Sequence, residues 1–242
     1  MYTILVLILL LILFCLFALI FKSKNKKMIL GGSYEPNCFD KMYYNFDYDK
    51  LKKQLINDKL TNSRNYLLSR LIFITGTNNT IELYDEEDRL VAFTSDEHGD
   101  KNIVYFDISE YNKVFNSFTS LGLTNFYTIQ SYMEIYQDCY LRFIFIHYPG
   151  CDPILKIQTI NSNAVDKYAE KYKLPKSINV SDIDLSDLKM LYDKQKIKFN
   201  NQHVIFTSLT ENNNSKLCNK KEFIDKVKKQ IKQFNIRDVH PL

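Results

Sequence analysis

Tryptophan is absent from the 242 residues, glycine occurs six times and proline five, and no strong excess of either charge runs through the chain. Each shortage excludes something. Gly31, Gly32, Gly76, Gly99, Gly122 and Gly150 form neither a Gly-x-Gly-x-x-Gly turn nor a Walker loop, so no such backbone cradle for nucleotide phosphates is encoded. His98, His147, His203 and His240 are dispersed without His-Glu-x-x-His spacing, and His147 reads as a surface histidine beside a turn. Cys15, Cys38, Cys139, Cys151 and Cys218 contain no Cys-x-x-Cys pair, so no zinc pattern is present. The net charge of +4 is carried by Lys22, Lys24, Lys26 and Lys27, which leaves the rest near neutral. That balance excludes the general basic character of a nucleic-acid binder.

Aromatic residues are plentiful, with 17 Tyr and 17 Phe, and Lys, Asn and Ile are abundant. This usage suggests an AT-rich genome, such as that of a large DNA virus or a protist. The length suits one globular domain with appendages.

Ile4 to Phe21 is apolar throughout, with no Gly, Pro or charge. It is long enough to cross a bilayer as a helix, and no small-residue cleavage site precedes Lys22. Ile4, Leu10 and Phe21 mark the expected anchor, and Lys22, Lys24, Lys26 and Lys27 its basic flank. Positive charge on the C-terminal side alone predicts a single-pass protein with a cytosolic body. In that compartment the cysteines are expected as free thiols, with two bridges among Cys38, Cys139, Cys151 and Cys218 as the alternative. Gly31-Gly32-Ser33 and Pro36 read as a hinge.

The body opens with a strand from Cys38 to Phe46, and Asp47 then caps a helix ending near Asn57. Strands are expected over Tyr66 to Thr75, Thr80 to Asp85, Arg89 to Ser95 and Asn102 to Ile108. A helix from Ser109 to Ser120 ends at Gly122, and strands resume from Phe126 to Tyr136. Leu141 to Tyr148 and Ile154 to Thr159 form a hairpin across Tyr148-Pro149-Gly150. Helices follow over Asn161 to Tyr172 and Ser186 to Lys194. Asn219-Lys220-Lys221-Glu222 resembles a capping box that opens a basic amphipathic helix. Its apolar face is Phe223, Ile224, Val227, Ile231 and Phe234. That helix either packs on the body or lies on an anionic cytosolic leaflet.

The aromatic-Pro-Gly hairpin resembles that of CYTH domains, the superfamily of class IV adenylyl cyclases, thiamine triphosphatases and triphosphate tunnel enzymes. The likeness runs from about Cys38 to Lys198 and implies an α+β fold: an antiparallel barrel, or a strongly curved open sheet, with outer helices. The resulting plan is residues 1–27 anchor, 28–37 linker, 38–198 CYTH-like domain, 199–218 polar loop and 219–242 basic helix.

The resemblance also implies which residues line the tunnel. The family's metal-holding Glu-x-Glu-x-Lys falls on Cys38, Asp40 and Met42, and its phosphate-gripping Leu-Arg-x-Arg falls on Ile81-Glu82-Leu83-Tyr84. A tunnel lysine falls near Ser95, and a basic pair falls around Ser131 to Met133. The aspartates before the turn become Ile144 and Ile146, and the glutamates after it become Lys156 and Gln158. Lys156 would then be a lone ammonium in an apolar wall, with Asp40 or Glu82 as its partner. The expectation is a membrane-tethered binding or scaffold module without catalysis, metal or cofactor, and with an unidentified protein partner. Two alternatives stay open. One is a Mg²⁺- or Mn²⁺-dependent triphosphatase or cyclase with relocated residues, and the other is a viral envelope protein facing an oxidising space.

Overall fold

The computed structural model describes residues 39–74, 80–86, 89–95, 101–107, 110–138, 140–177, 185–194, 203–206 and 221–236. The expected anchor and the Gly31-Gly32-Ser33 hinge lie outside these residues, as do Cys15, Cys38, Cys139, Cys218 and the capping residues Asn219 and Lys220. Among the described residues no helix is long and apolar enough to cross a membrane.

The strands are β1 (Phe39–Tyr43), β2 (Thr61–Ile74), β3 (Thr80–Glu86), β4 (Arg89–Ser95), β5 (Lys101–Asp107), β6 (Phe126–Gln137), β7 (Leu141–His147), β8 (Ile154–Thr159) and β9 (His203–Val204). They form one sheet in the order β1-β8-β7-β6-β2-β3-β4-β5. Every ladder on that path is antiparallel, while β9 adds to β6 in parallel through Thr128 and Ile129. The path ends at β1 and β5, and no ladder among the described residues joins these ends into a barrel. The fold is thus α+β around a long antiparallel sheet.

Local chemistry sets the element ends. Asn45, in the left-handed region at φ 57°, turns the chain out of β1. The Asp47 side chain then accepts from the Lys50 N–H at 3.0 Å and starts α1 (Tyr48–Asn57). Helix α2 (Tyr111–Ser120) stops before Gly122, whose φ of 89° suits a residue without Cβ. The Asn161 side chain accepts from the Asn163 N–H at the start of α3 (Ser162–Lys171). Helices α4 (Leu185–Lys194) and α5 (Lys221–Phe234) complete the set.

Alternation divides the sheet into two faces. One carries Phe143, Phe145, Leu155 and Ile157 and is covered by Leu51 and Leu55 of α1 and Val165 of α3. Further along that face, Leu71, Phe73 and Leu83 pack under Val114, Phe115 and Phe118 of α2. The other face carries Met42, Ile129, Ile135, Ile144, Ile146 and Ile154. It shares one buried cluster with Leu188 and Tyr192 of α4, Val204 and Phe206 around β9, and Phe223 and Val227 of α5.

One sequence expectation changes here, and of the two alternatives for the C-terminal helix the packed one is observed. Strand β2 begins at Thr61 rather than Tyr66, because the polar run Thr61 to Asn65 is recruited by pairing with Glu134 to Gln137, with an irregularity between Asn62 and Arg64. Helix α5 is docked on the body. Phe223 and Val227 are buried, so its apolar face is not available to a bilayer in this arrangement.

Candidate functional site

Residues directly opposite in a ladder share a face, so the pairings locate every expected tunnel-lining residue. Asp40 faces Gln158, and Met42 faces Lys156, which in turn faces Ile144. Ile146 faces Met133, Met133 faces Tyr66, and two-residue steps along β2 lead to Arg70 and Ile72. Arg70 faces Tyr84 and Ile72 faces Glu82. Glu82 faces Phe93, which puts Ser95 at a register position on that same face. Asp40, Glu82, Tyr84, Ser95, Met133, Ile144, Ile146, Lys156 and Gln158 thus occupy one face of the sheet.

The electrostatics of this face depart from the expected lone ammonium. Lys156, with a side chain 8 % exposed, pairs with Asp40 Oδ2 at 2.7 Å, so Asp40 is its partner. Glu82 instead approaches Arg70, with Oε2 3.7 Å from a guanidinium nitrogen. The other terminal nitrogen of Arg70 lies 3.4 Å from the Tyr148 hydroxyl. Register also gives Arg64 and Arg142 to this face. These three arginines come from strands other than those bearing the family's cationic motifs, which is why motif matching missed them. Their signal was present only as alternation along β2 and β7.

Around these charges the wall is apolar. Ile144 and Ile146 are buried, and beyond them stands the cluster supplied by α4, the β9 region and α5. Helix α5 is fastened to the hairpin turn. The Gly150 N–H donates to Gln230 Oε1 at 2.7 Å, and Gln230 Nε2 donates to the carbonyls of Tyr148 and Cys151, each at 3.2 Å. The Tyr192 hydroxyl donates to the Pro149 carbonyl at 2.8 Å.

The opposite face carries a buried polar group that sequence reasoning missed. Glu134 accepts from Lys52 Nζ at 2.6 Å, from the Tyr48 hydroxyl, and interacts with His147 Nε2 at 2.9 Å. His147 is 3 % exposed and touches the Phe234 ring, so it is a core residue and not the expected surface histidine. Burial by itself would raise the Glu134 carboxyl, but hydrogen bonds from His147, Lys52 and Tyr48 outweigh it and hold the group at about 2. Burial and the bond to Glu134 push the Tyr48 hydroxyl up. Burial opposes the Lys52 charge, yet its bonds to Glu134 and Tyr48 raise it further. Each of these three groups is fixed in its ordinary ionisation state near neutrality. That suits an internal tie between α1 and the sheet and not a proton shuttle.

Among the described residues, no three His, Cys, Asp or Glu side chains stand close enough to hold a metal together. No family model and no curated protein matches the chain. Solved structures with related backbones include the PH1819 protein of Pyrococcus horikoshii, at 12 % identity and TM-score 0.48, covering 65 % of this chain and 98 % of that one. The PH1012 protein of the same organism aligns at 10 % identity and TM-score 0.47, over 57 % and 92 % of the two chains. A Hippeastrum adenylyl cyclase candidate with a dominant triphosphatase activity aligns at 12 % and 0.42, over 63 % and 94 %. At such identities no activity passes to this chain.

Proposed function

We propose that this chain is a membrane-tethered, CYTH-like binding module that does not turn over triphosphates. The observation that carries the reading is the internal neutralisation of the Lys156 face. Lys156 is matched by Asp40 and Arg70 by Glu82, each across neighbouring strands. A triphosphate needs several cations to meet its oxygens and carboxylates to hold a divalent metal, and here the carboxylates Asp40 and Glu82 are committed to Lys156 and Arg70. Isoleucines replace further acids on β7, so burial there favours packing over ion binding. The tether is the apolar stretch Ile4 to Phe21, with the body on the cytosolic side. Helix α5 then offers exposed Lys221, Lys228, Lys229 and Lys232 to an anionic leaflet by charge alone, its apolar side being engaged with the body.

The three arginines on this face favour the enzymatic alternative, since the guanidinium fork is a common means of phosphate recognition. One experiment separates the two readings. Tripolyphosphate and ATP, each with Mg²⁺ or Mn²⁺, are expected neither to be hydrolysed nor to raise the melting temperature. A ligand at 100-fold over its Kd would stabilise the fold by about 2.7 kcal/mol, an easily measured shift. Such a shift, or turnover lost in Asp40→Ala, would replace the binding module with the enzyme.

A further inference from the structure

We infer that this chain forms a symmetric dimer with a second copy of itself, through antiparallel pairing of β5 with β5 across a twofold axis at Val104. The inference goes beyond the binding-module reading and does not rest on it, because β5 lies at the opposite end of the sheet path from β1 and β8. Strand β4 fills one edge of β5 in a continuous one-to-one register, from Arg89 opposite Asp107 to Ser95 opposite Lys101. Among the described residues no strand pairs with the other edge.

An open edge is a template for a further strand unless something blunts it, and the usual devices are shortness, proline, a bulge or an edge lysine. Strand β1, at the other end of the path, has two of these. It is five residues long, and its central Lys41 is tied to Asp166 of α3 at 2.6 Å. Strand β5 is seven residues long, with no proline, no glycine and no register shift against β4, and its one lysine is its first residue. Its central residue, Val104, is 37 % exposed, although its ladder partner Ala92 is buried in the cluster with Leu83 and Val114. The apolar cover of that face therefore stops one strand short of the edge.

Symmetry and charge then fix the register. A twofold axis perpendicular to the sheet keeps each face on its own side. Directly opposite residues share a face, so the axis must pass through a residue and not between two. At Val104 it pairs both strands along their whole length, and at any other residue it leaves strand ends unpaired. This register sets Lys101 opposite Asp107 of the second copy, Asn102 opposite its Phe106, Ile103 opposite its Tyr105, and Val104 opposite Val104. Asp107 stands opposite Arg89 in its own chain, so the row across the interface alternates in sign. The same operation on β1 would set Lys41 against Lys41. Opposite charges in opposed positions stabilise antiparallel strands and like charges destabilise them, so charge selects β5 for self-pairing and rejects β1. A single strand pair is smaller than a standard interface of about 1,600 Å², so the dimer should be reversible, with a dissociation constant on the order of micromolar.

Sedimentation velocity of the full chain in a neutral detergent, across the micromolar range, is expected to show a monomer–dimer equilibrium. Lys101→Asp, which sets Asp against Asp107, should weaken the dimer about tenfold, whereas Lys101→Arg should leave it unchanged. Val104→Lys brings two ammonium groups together at the axis and should abolish the dimer, with circular dichroism unchanged because position 104 is already part-exposed. In oxidised Val104→Cys, mass mapping should find a 104-to-104 link, since Cα atoms opposed in a ladder lie about 4.5–5.5 Å apart, within disulfide range. A chain monomeric at every concentration would overturn the pairing, as would a dimer that survives Val104→Lys or is indifferent to Lys101→Asp. Growth beyond the dimer would also overturn it, because head-to-tail pairing of β5 with β1 makes open polymers.

Discussion

Replacing Gly150 with alanine should loosen the C-terminal helix from the hairpin turn, and the size of the effect follows from two separate causes. Gly150 has φ 70°, a left-handed conformation that costs an L-residue roughly 1–2 kcal/mol. A Cβ placed there would lie 2.0 Å from one Phe223 ring carbon and 2.5 Å from another, so the ring must move. Phe223 is 4 % exposed within the cluster it shares with Val227 and Tyr192, and overpacking in such a place costs roughly 1–3 kcal/mol. The sum is roughly 2–5 kcal/mol against a typical total stability of about 5–15 kcal/mol. Urea unfolding followed by circular dichroism of wild type, Gly150→Ala, Phe223→Leu and the double variant measures this directly. The shorter leucine should relieve the clash, so the double variant is expected to be less destabilised than the two single losses combined. A loss below about 1 kcal/mol in Gly150→Ala, or strict additivity of the pair, would refute the reasoning.

Asp40→Ala should destabilise by roughly 1–3 kcal/mol because it removes the carboxylate that meets the buried Lys156 ammonium, while Asp40→Ala with Lys156→Met should recover most of that loss; thermal melts of the pair decide it. Glu134, held at about 2 when folded against an ordinary 4.5, contributes stability that is present above the unfolded value and is lost as pH falls toward 2. Denaturation curves between pH 6 and 2 should therefore flatten in Glu134→Gln, and an unchanged acid profile would show that the carboxylate does not contribute. Charge reversal at Lys221, Lys228 and Lys232 together should weaken binding of a chain lacking residues 1–27 to phosphatidylserine vesicles by roughly a hundredfold or more, at about 1 kcal/mol per lysine. Sedimentation with vesicles at low and high salt measures this, and salt-insensitive binding would contradict an electrostatic contact.

What the sequence showed and what it concealed follow from the distance over which each signal acts. Asp47 as a helix cap, Arg89–Ser95 and Ile154–Thr159 as strands, and the turn at Pro149-Gly150 are written in neighbouring residues, and the structure has them at those positions. The common face of Ile144, Ile146, Lys156 and Gln158 was also legible, because alternation on either side of a turn fixes register. Concealed were features whose partners are remote in the chain. Glu134 meets Tyr48 across 86 residues, and Gln230 meets Gly150 across 80. Nothing in the local pattern marks Gln230 as a buried clasp, or His203-Val204 as a strand two residues long. Arg70 likewise became visible as the partner of Glu82 only once β2 and β3 were paired.

The shortness of β7 has a consequence for handling the protein. Strand β6 runs from Phe126 to Gln137 and is paired along its whole length by β2, but β7 reaches back only to Tyr132 before the chain turns away. The first half of β6 would present open backbone donors and acceptors on that side, the template on which chains pair edge to edge and aggregate. His203 and Val204 occupy that edge, and the Phe206 N–H, donating to Gln130 Oε1 at 3.1 Å, pins the segment beside it. A truncation at about residue 198, where the family resemblance ends, should therefore yield a chain that self-associates, so the last forty-odd residues act as a built-in solubility guard and belong in any expressed fragment.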